Sequence, residues 1–286
     1  MRIIALPLTS NASISGRFTY YHFQTPPRPK TGENPSLAKR ALDKALGAWA
    51  AFGKAPEGNW KRRIFVYGER LQSRVEFEEL ALKSIDPSLG PKAYKLGASD
   101  VKLDEKDHPV IPLVHPTAFA SLHSPLTHLR QMLEKRIPLH KKGFYTWMII
   151  APFTAPFAII PIIPNLPFFF CVWRSWSHWK AYKASGYLES LLDQGAIVPE
   201  ANVGLDDIYA EFPPSPTGHP LDVAESTKSS GIDLHHPEQS TERERLLFGR
   251  DAVPRIVEYF ELPPGAMSDM YRALDQTAVR LAKQKS

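Results

Sequence analysis

An α+β, mainly helical protein is predicted from three observations. Two short runs rich in β-branched and aromatic residues flank a Ser/Asn/Gly turn near the N-terminus and read as a small β-hairpin. Several segments repeat apolar residues at helical spacing. An uncharged, proline-interrupted stretch over residues 143–173 reads as a hydrophobic helical hairpin. A partly disordered C-terminal extension completes the plan. It divides into an N-terminal α+β part (1–142), the hydrophobic hairpin (143–183), its helical continuation (184–198), a disordered linker (199–245) and short C-terminal helices (246–286).

The opening strands are expected over residues 2–8 and 18–24. No acidic residue precedes Glu33, and the segment carries Arg2, Arg17, Arg28 and Lys30. That composition also suits a mitochondrial transit peptide. No amphipathic helix with arginines on one face emerges, so a retained β-hairpin is the preferred reading, with His22 packed in its second strand.

Asn34-Pro35 is a helix-start signal, and Leu37, Ala41, Ala45, Trp49 and Phe52 recur at helical spacing up to Gly53. A second helix is expected over residues 57–85, with Trp60, Ile64, Tyr67, Leu71, Val75 and Leu82 on one face. Asp86-Pro87 stops it. Lys61, Arg62 and Arg63 at its start form either a solvated face or a contact to lipid headgroups. Glu76, Glu78 and Glu79 point in different directions on such a helix and are expected to face water. Residues 86–108 read as a loop, and 110–114 as a short edge strand, because Pro112 cannot donate in mid-sheet. Ser124-Pro125 opens a helix that runs through Arg136 into the hairpin, with Leu126, Leu129 and Leu133 on one side. His108, His115, His123 and His128 match no metal-ligand spacing, so no metal site is read there.

Residues 143–173 hold no Asp, Glu, Lys or Arg. A membrane-spanning helix takes about 20 apolar residues, so the stretch is long enough to enter a bilayer. Pro152, Pro156, Pro161, Pro164 and Pro167 argue against one straight helix. The turn is placed at Pro161, Pro164, Asn165 and Pro167. Basic residues flank both ends, which a hairpin entering and leaving one face keeps on the same side. The insertion is then re-entrant or two short crossings. Two full crossings would bury Arg174, at roughly 2.5–3.5 kcal/mol near the bilayer centre. Trp147, Trp173, Arg174, Trp176, His178, Trp179, Lys180 and Lys183 are the expected interfacial, lipid-contacting residues, indoles among headgroups and cations on phosphates.

The second arm is expected to continue as a helix to about Gln194. Residues 199–245, rich in Pro, Ser, Thr, Gly and acid, read as a solvated linker in which His235 and His236 are exposed. Helices over about 251–260 and 268–283, separated by Pro263-Pro264-Gly265, finish the chain.

The 286 residues include 27 prolines, and mean hydropathy is −0.27, which does not describe a polytopic transporter. Cys171 is the only cysteine, so no internal disulfide forms. The net charge of +5 hides an asymmetry. Residues 1–142 hold 23 Lys/Arg against 13 Asp/Glu, and residues 174–286 hold 12 against 17. Basic surface beside an apolar hairpin suits an anionic lipid bilayer, at about 1 kcal/mol per well-placed cation. No motif presents that charge to nucleic acid. The phosphate-binding, dinucleotide, nucleophile-elbow and zinc-protease motifs are all missing, so no enzyme activity and no cofactor is read.

The segment Pro164-Asn165-Leu166-Pro167-Phe168-Phe169-Phe170, followed by Trp173-Arg174-Ser175-Trp176-Ser177-His178-Trp179-Lys180, resembles the mitochondrial K+–H+ exchange-related family. The opening Arg2-Ile3-Ile4-Ala5-Leu6-Pro7-Leu8 and Tyr20-Tyr21-His22 resemble that family's N-terminal part, and the likeness covers roughly residues 1–212. It implies an inner-membrane protein, placed on the matrix side, in a complex needed for potassium/proton exchange and mitochondrial volume control. Antiport normally requires carboxylates at membrane depth, and the hairpin has none. An accessory or assembly role beside other subunits is therefore expected, or a pore completed by homo-oligomerisation. The alternative is a monotopic scaffold that binds anionic lipid and protein partners without transport.

Overall fold

The computed structural model describes residues 1–10, 18–26, 49–92, 110–122, 124–154, 166–214 and 245–284, with positions 40, 44, 47 and 156. A four-stranded mixed sheet in the order β2-β1-β3-β4 lies between two layers of helices. Strands β1 (Arg2–Pro7) and β2 (Thr19–Gln24) form the expected antiparallel hairpin, from Arg2 opposite Gln24 to Pro7 opposite Thr19. Strands β3 (Ile111–His115) and β4 (Ile197–Ala201) extend it, each parallel to its inner neighbour.

The apolar run of β1 explains its place in the middle. Ile3 and Ala5 face one layer, Ile4 and Leu6 the other, and all four are fully buried. A strand covered on both faces reads as a continuous hydrophobic run. On the Ile3 side lie Leu82 of α2 (Phe77–Ser84), Leu129 and Leu133 of α4 (Pro125–Thr154) and Ala181, Ala184 and Leu188 of α5 (Leu166–Asp193). On the Ile4 side lie α6 (Val203–Glu211), α7 (Ala252–Tyr259) and α8 (Pro264–Gln284), through Leu205, Val253, Ile256, Met270 and Leu274. Helix α1 (Trp60–Ser73) is largely exposed, and α3 (Thr117–Leu122) links β3 to α4.

Three local expectations are corrected. The single helix over 57–85 is two, α1 and α2, broken at residues 74–76. Gln276 of α8 donates to the Val75 carbonyl and accepts from the Phe77 amide, satisfying backbone groups that a continuous helix would have bonded itself. The strand expected at a sheet edge over 110–114 runs over 111–115 and is interior. The Ile111 amide donates to the Ala196 carbonyl on the β4 side, so the next residue, Pro112, turns its missing donor towards β1, where pairing starts only at Leu113. Residues 199–214 belong to the fold and not to a linker. Asn202 caps α6, accepting from the Leu205 amide, and Leu205 and Ile208 enter the core. The two C-terminal helices expected from sequence dock on the fold, as two of the three helices of the second layer, and the Leu247 amide donates to the Leu8 carbonyl. Residues 215–244, with His235 and His236, and the hairpin-turn positions Pro161, Pro164 and Asn165 lie outside the described residues. Pro167 sits exposed in the first turn of α5, where a proline is tolerated.

Candidate functional site

Helices α4 and α5 run antiparallel. Trp147 meets Phe170 edge-on with centroids 5.4 Å apart, Phe144 meets Trp179 at 5.0 Å, and the Ser175 hydroxyl donates to the Phe144 carbonyl. Gly143 lets the two backbones approach. A Cβ there would lie 2.7 Å from the His178 ring, so the imidazole occupies the space a side chain would fill.

At this close crossing three buried polar side chains converge from three helices: Glu79 of α2, His140 of α4 and His178 of α5. Their donor atoms all lie within 4.8 Å of one another. The two Nδ1 atoms are 3.1 Å apart, so one ring donates and the other accepts. Glu79 Oε1 accepts from the Ser177 hydroxyl at 2.7 Å and from Arg174, which also forms an ion pair with it. His140 is fully buried, and its Nε2 has no hydrogen-bond partner.

Burial dominates the electrostatics. It pushes His140 down to about 4, with Glu79 opposing and the charges of His178, Arg136 and Arg174 adding. His178 is lowered in the same way, by burial first and then by Arg174. Both rings are therefore neutral at pH 7. Burial pushes the Glu79 carboxyl up, but the hydrogen bonds from Arg174 and Ser177 more than offset it, and the group ends below the ordinary value of 4.5. The result is a carboxylate and two neutral imidazoles buried side by side. A second network on α2 lies beside it: Arg136 binds Glu76 and, at 3.1 Å, Glu78, while Arg280 reaches the same two carboxylates at 3.3 and 2.9 Å.

The predicted lipid-contact residues divide into three groups. Arg174 and His178 turn inward, to Glu79 and His140, and do not face lipid. Trp147, Trp173 and Trp179 are half-buried against the hairpin's own rings, with Lys83 over Trp173 and Lys183 over Trp179. Trp176 is 59% exposed, and Lys180 and Lys183 are exposed. Further along the hairpin the uncharged surface is open: Tyr145, Met148, Ile149 and Ile150 are exposed on α4, as are Val172 and, at 61%, Phe169 on α5, while Phe153 reaches 75%. No described helix is long and apolar enough to cross a membrane.

The inward cluster is missed by sequence reading because its members are remote. Glu79 lies 95 residues before Arg174, and His140 lies 38 before His178. The available signal was Gly143, an expensive residue in a helix interior, opposite a helix carrying Ser175 and Ser177. His115 and His128, at which no metal site is read from sequence, hydrogen-bond the Pro116 carbonyl and the Tyr21 hydroxyl.

The family model described as mitochondrial K+–H+ exchange-related matches residues 2–192, which takes in β1, β2, β3, both hairpin arms and all three cluster residues. The chain belongs to the mitochondrial K+–H+ exchange-related family. The match ends before β4 and the α6–α8 layer. An uncharacterised protein of Saccharomyces cerevisiae is 21% identical over the whole of this chain and 87% of its own length. An uncharacterised protein of Schizosaccharomyces pombe is 24% identical over 65% of this chain and 72% of its own. No solved structure matches the chain significantly.

Proposed function

We propose that this member of the mitochondrial K+–H+ exchange-related family is an accessory or assembly component of potassium/proton exchange, held on the matrix face of the inner membrane by the far end of its helical hairpin. The observation that carries the reading is the exposure of Met148, Ile149, Phe153, Phe169 and Val172 on the two uncharged arms, with the exposed cations Lys141, Lys142, Lys180 and Lys183 next to them along the helices. The uncharged part of α4, Gly143 to Thr154, is roughly 17 Å long at 1.5 Å per residue. That length enters one leaflet of a hydrocarbon core about 30 Å thick. The cations then meet anionic headgroups at the depth where the apolar surface begins. Glu79, buried beside the hairpin's crossing, is paired with Arg174 and is not presented to an ion path. The protein therefore serves exchange by supporting partner subunits, not as a complete antiporter.

The experiment is deletion and complementation in purified mitochondria. Loss of the protein is expected to slow swelling in potassium acetate, with nigericin restoring it. A double Ile149→Gln, Phe153→Gln variant is expected to detach from membranes and to fail in complementation. Swelling that matches wild type after deletion overturns the exchange role. Attachment lost with swelling unchanged would instead favour a lipid-bound scaffold without a part in transport.

A further inference from the structure

We infer that Glu79, His140 and His178 form a binding site for a divalent transition metal of the zinc class, which would tie helix α2 to both arms of the hairpin. The donor set is two imidazole nitrogens and one carboxylate oxygen, on three separate helices and all buried. Imidazole donors select zinc-class ions over magnesium or calcium, which demand oxygen ligands. A tetrahedral site with bonds of about 2.1 Å has ligand–ligand edges of about 3.4 Å. The three donor atoms, one from each side chain, already lie within 4.8 Å of one another and need only a modest contraction.

Two further observations point to a ligand. The side chains do not satisfy one another: the rings share a single hydrogen bond, and His140 Nε2, in a fully buried side chain, has no partner. A buried polar atom without a partner is uncommon in a native protein and calls for an explanation. The carboxylate is also oriented as ligating carboxylates are, by outer groups on one oxygen, here Arg174 and Ser177 on Oε1. The charges facing the site are Arg174 on α5, Lys83 on α2 and Arg136 on α4, all cationic. They weaken the site relative to an all-thiolate zinc centre but do not occupy it.

The test uses the full-length protein in mild detergent, stripped with EDTA, desalted and titrated with CoCl2 and then ZnCl2. One equivalent of Co2+ is expected to bind with the visible absorption of a tetrahedral nitrogen/oxygen site, to be displaced by Zn2+, and to show two paramagnetically shifted imidazole N–H resonances. Zn2+ is expected to raise the melting temperature. In His178→Gln the affinity is expected to fall by at least about 100-fold, since a ligand is lost and disturbing only a ligand's hydrogen-bond partner already costs up to about that much, whereas His22→Gln leaves it unchanged. His178→Cys is expected to recover binding with a sulfur-to-cobalt charge-transfer band, which a merely structural role for His178 could not produce. Should the glutamine variant not fold, the count of shifted imidazole resonances in the wild type decides. Absence of stoichiometric binding, a resonance count other than two, or unchanged affinity in a folded His178→Gln protein overturns the site.

Discussion

Replacing Arg174 by methionine separates the structure from the sequence reading most directly. The sequence places Arg174 among lipid phosphates, where its loss weakens membrane attachment and leaves the fold alone. The structure pairs it with Glu79, whose side chain is only 3% exposed against 19% for the arginine. Removing one partner of a buried ion pair costs about 3–5 kcal/mol, because the other charge stays buried without compensation. The lower end, about 3 kcal/mol, applies here, since Ser177 still donates to Glu79 Oε1 and the arginine retains some water contact. Urea unfolding of the detergent-solubilised full-length protein measures this as a lower midpoint at unchanged slope. The double variant Arg174→Met, Glu79→Gln is expected to recover part of the loss, because no unpaired charge then remains buried. If Arg174→Met unfolds at the wild-type midpoint yet releases the protein from anionic vesicles, the inward pairing is wrong and the arginine is a surface anchor.

Gly143→Ala is expected to destabilise, because the new Cβ would lie 2.7 Å from the His178 ring; Gly186→Ala on α5, with open space at its Cβ, is expected to stabilise by about 0.5–1 kcal/mol. Opposite signs in paired thermal melts check both. Gln276→Ala removes both side-chain bonds to the backbone between α1 and α2 and should cost about 1–3 kcal/mol, with amide exchange rising first around Phe77. Burial pushes the Glu76 carboxyl up, but Arg136 and then Arg280 more than offset it, so its folded value lies below 4.5. Its stabilisation is complete above the unfolded value and is lost as pH falls through the folded one. Because the side chain is 47% exposed, the effect is less than about 1 kcal/mol, seen as a shallower acid limb of the melting curve in Glu76→Gln. On vesicles containing anionic lipid, Ile149→Gln with Phe153→Gln should lose about 3 kcal/mol of partitioning, on the order of 100-fold, at unchanged melting temperature.

Local signals in the chain were sufficient for the β1–β2 hairpin, for α4 and α5 and for the two C-terminal helices, because alternation, periodicity and caps act within a few residues. What escaped depends on partners distant in sequence. Pro112 reads as an edge residue until β4, some 85 positions later, takes the donor side of β3. Glu79 reads as solvated until Arg174 and Ser177 fold over it. Asn202, Leu205 and Ile208 sit in a polar, proline-rich context that hides a capped core helix. His140 and His178 flank a greasy stretch, and their basic neighbours suggested lipid where the fold supplies a second imidazole.

The order of β3, hairpin and β4 along the chain has a temporal consequence. The whole α4–α5 excursion is the crossover that joins two neighbouring parallel strands. During synthesis the sheet thus waits for its fourth member until the greasy arms have already left the ribosome. For that interval the nascent chain carries uncovered Ile and Phe beside an unfinished strand edge, a state that invites aggregation. Capture of that intermediate, by a chaperone or by a bilayer, would have to come before β4 pairs with β3 and closes the open edge.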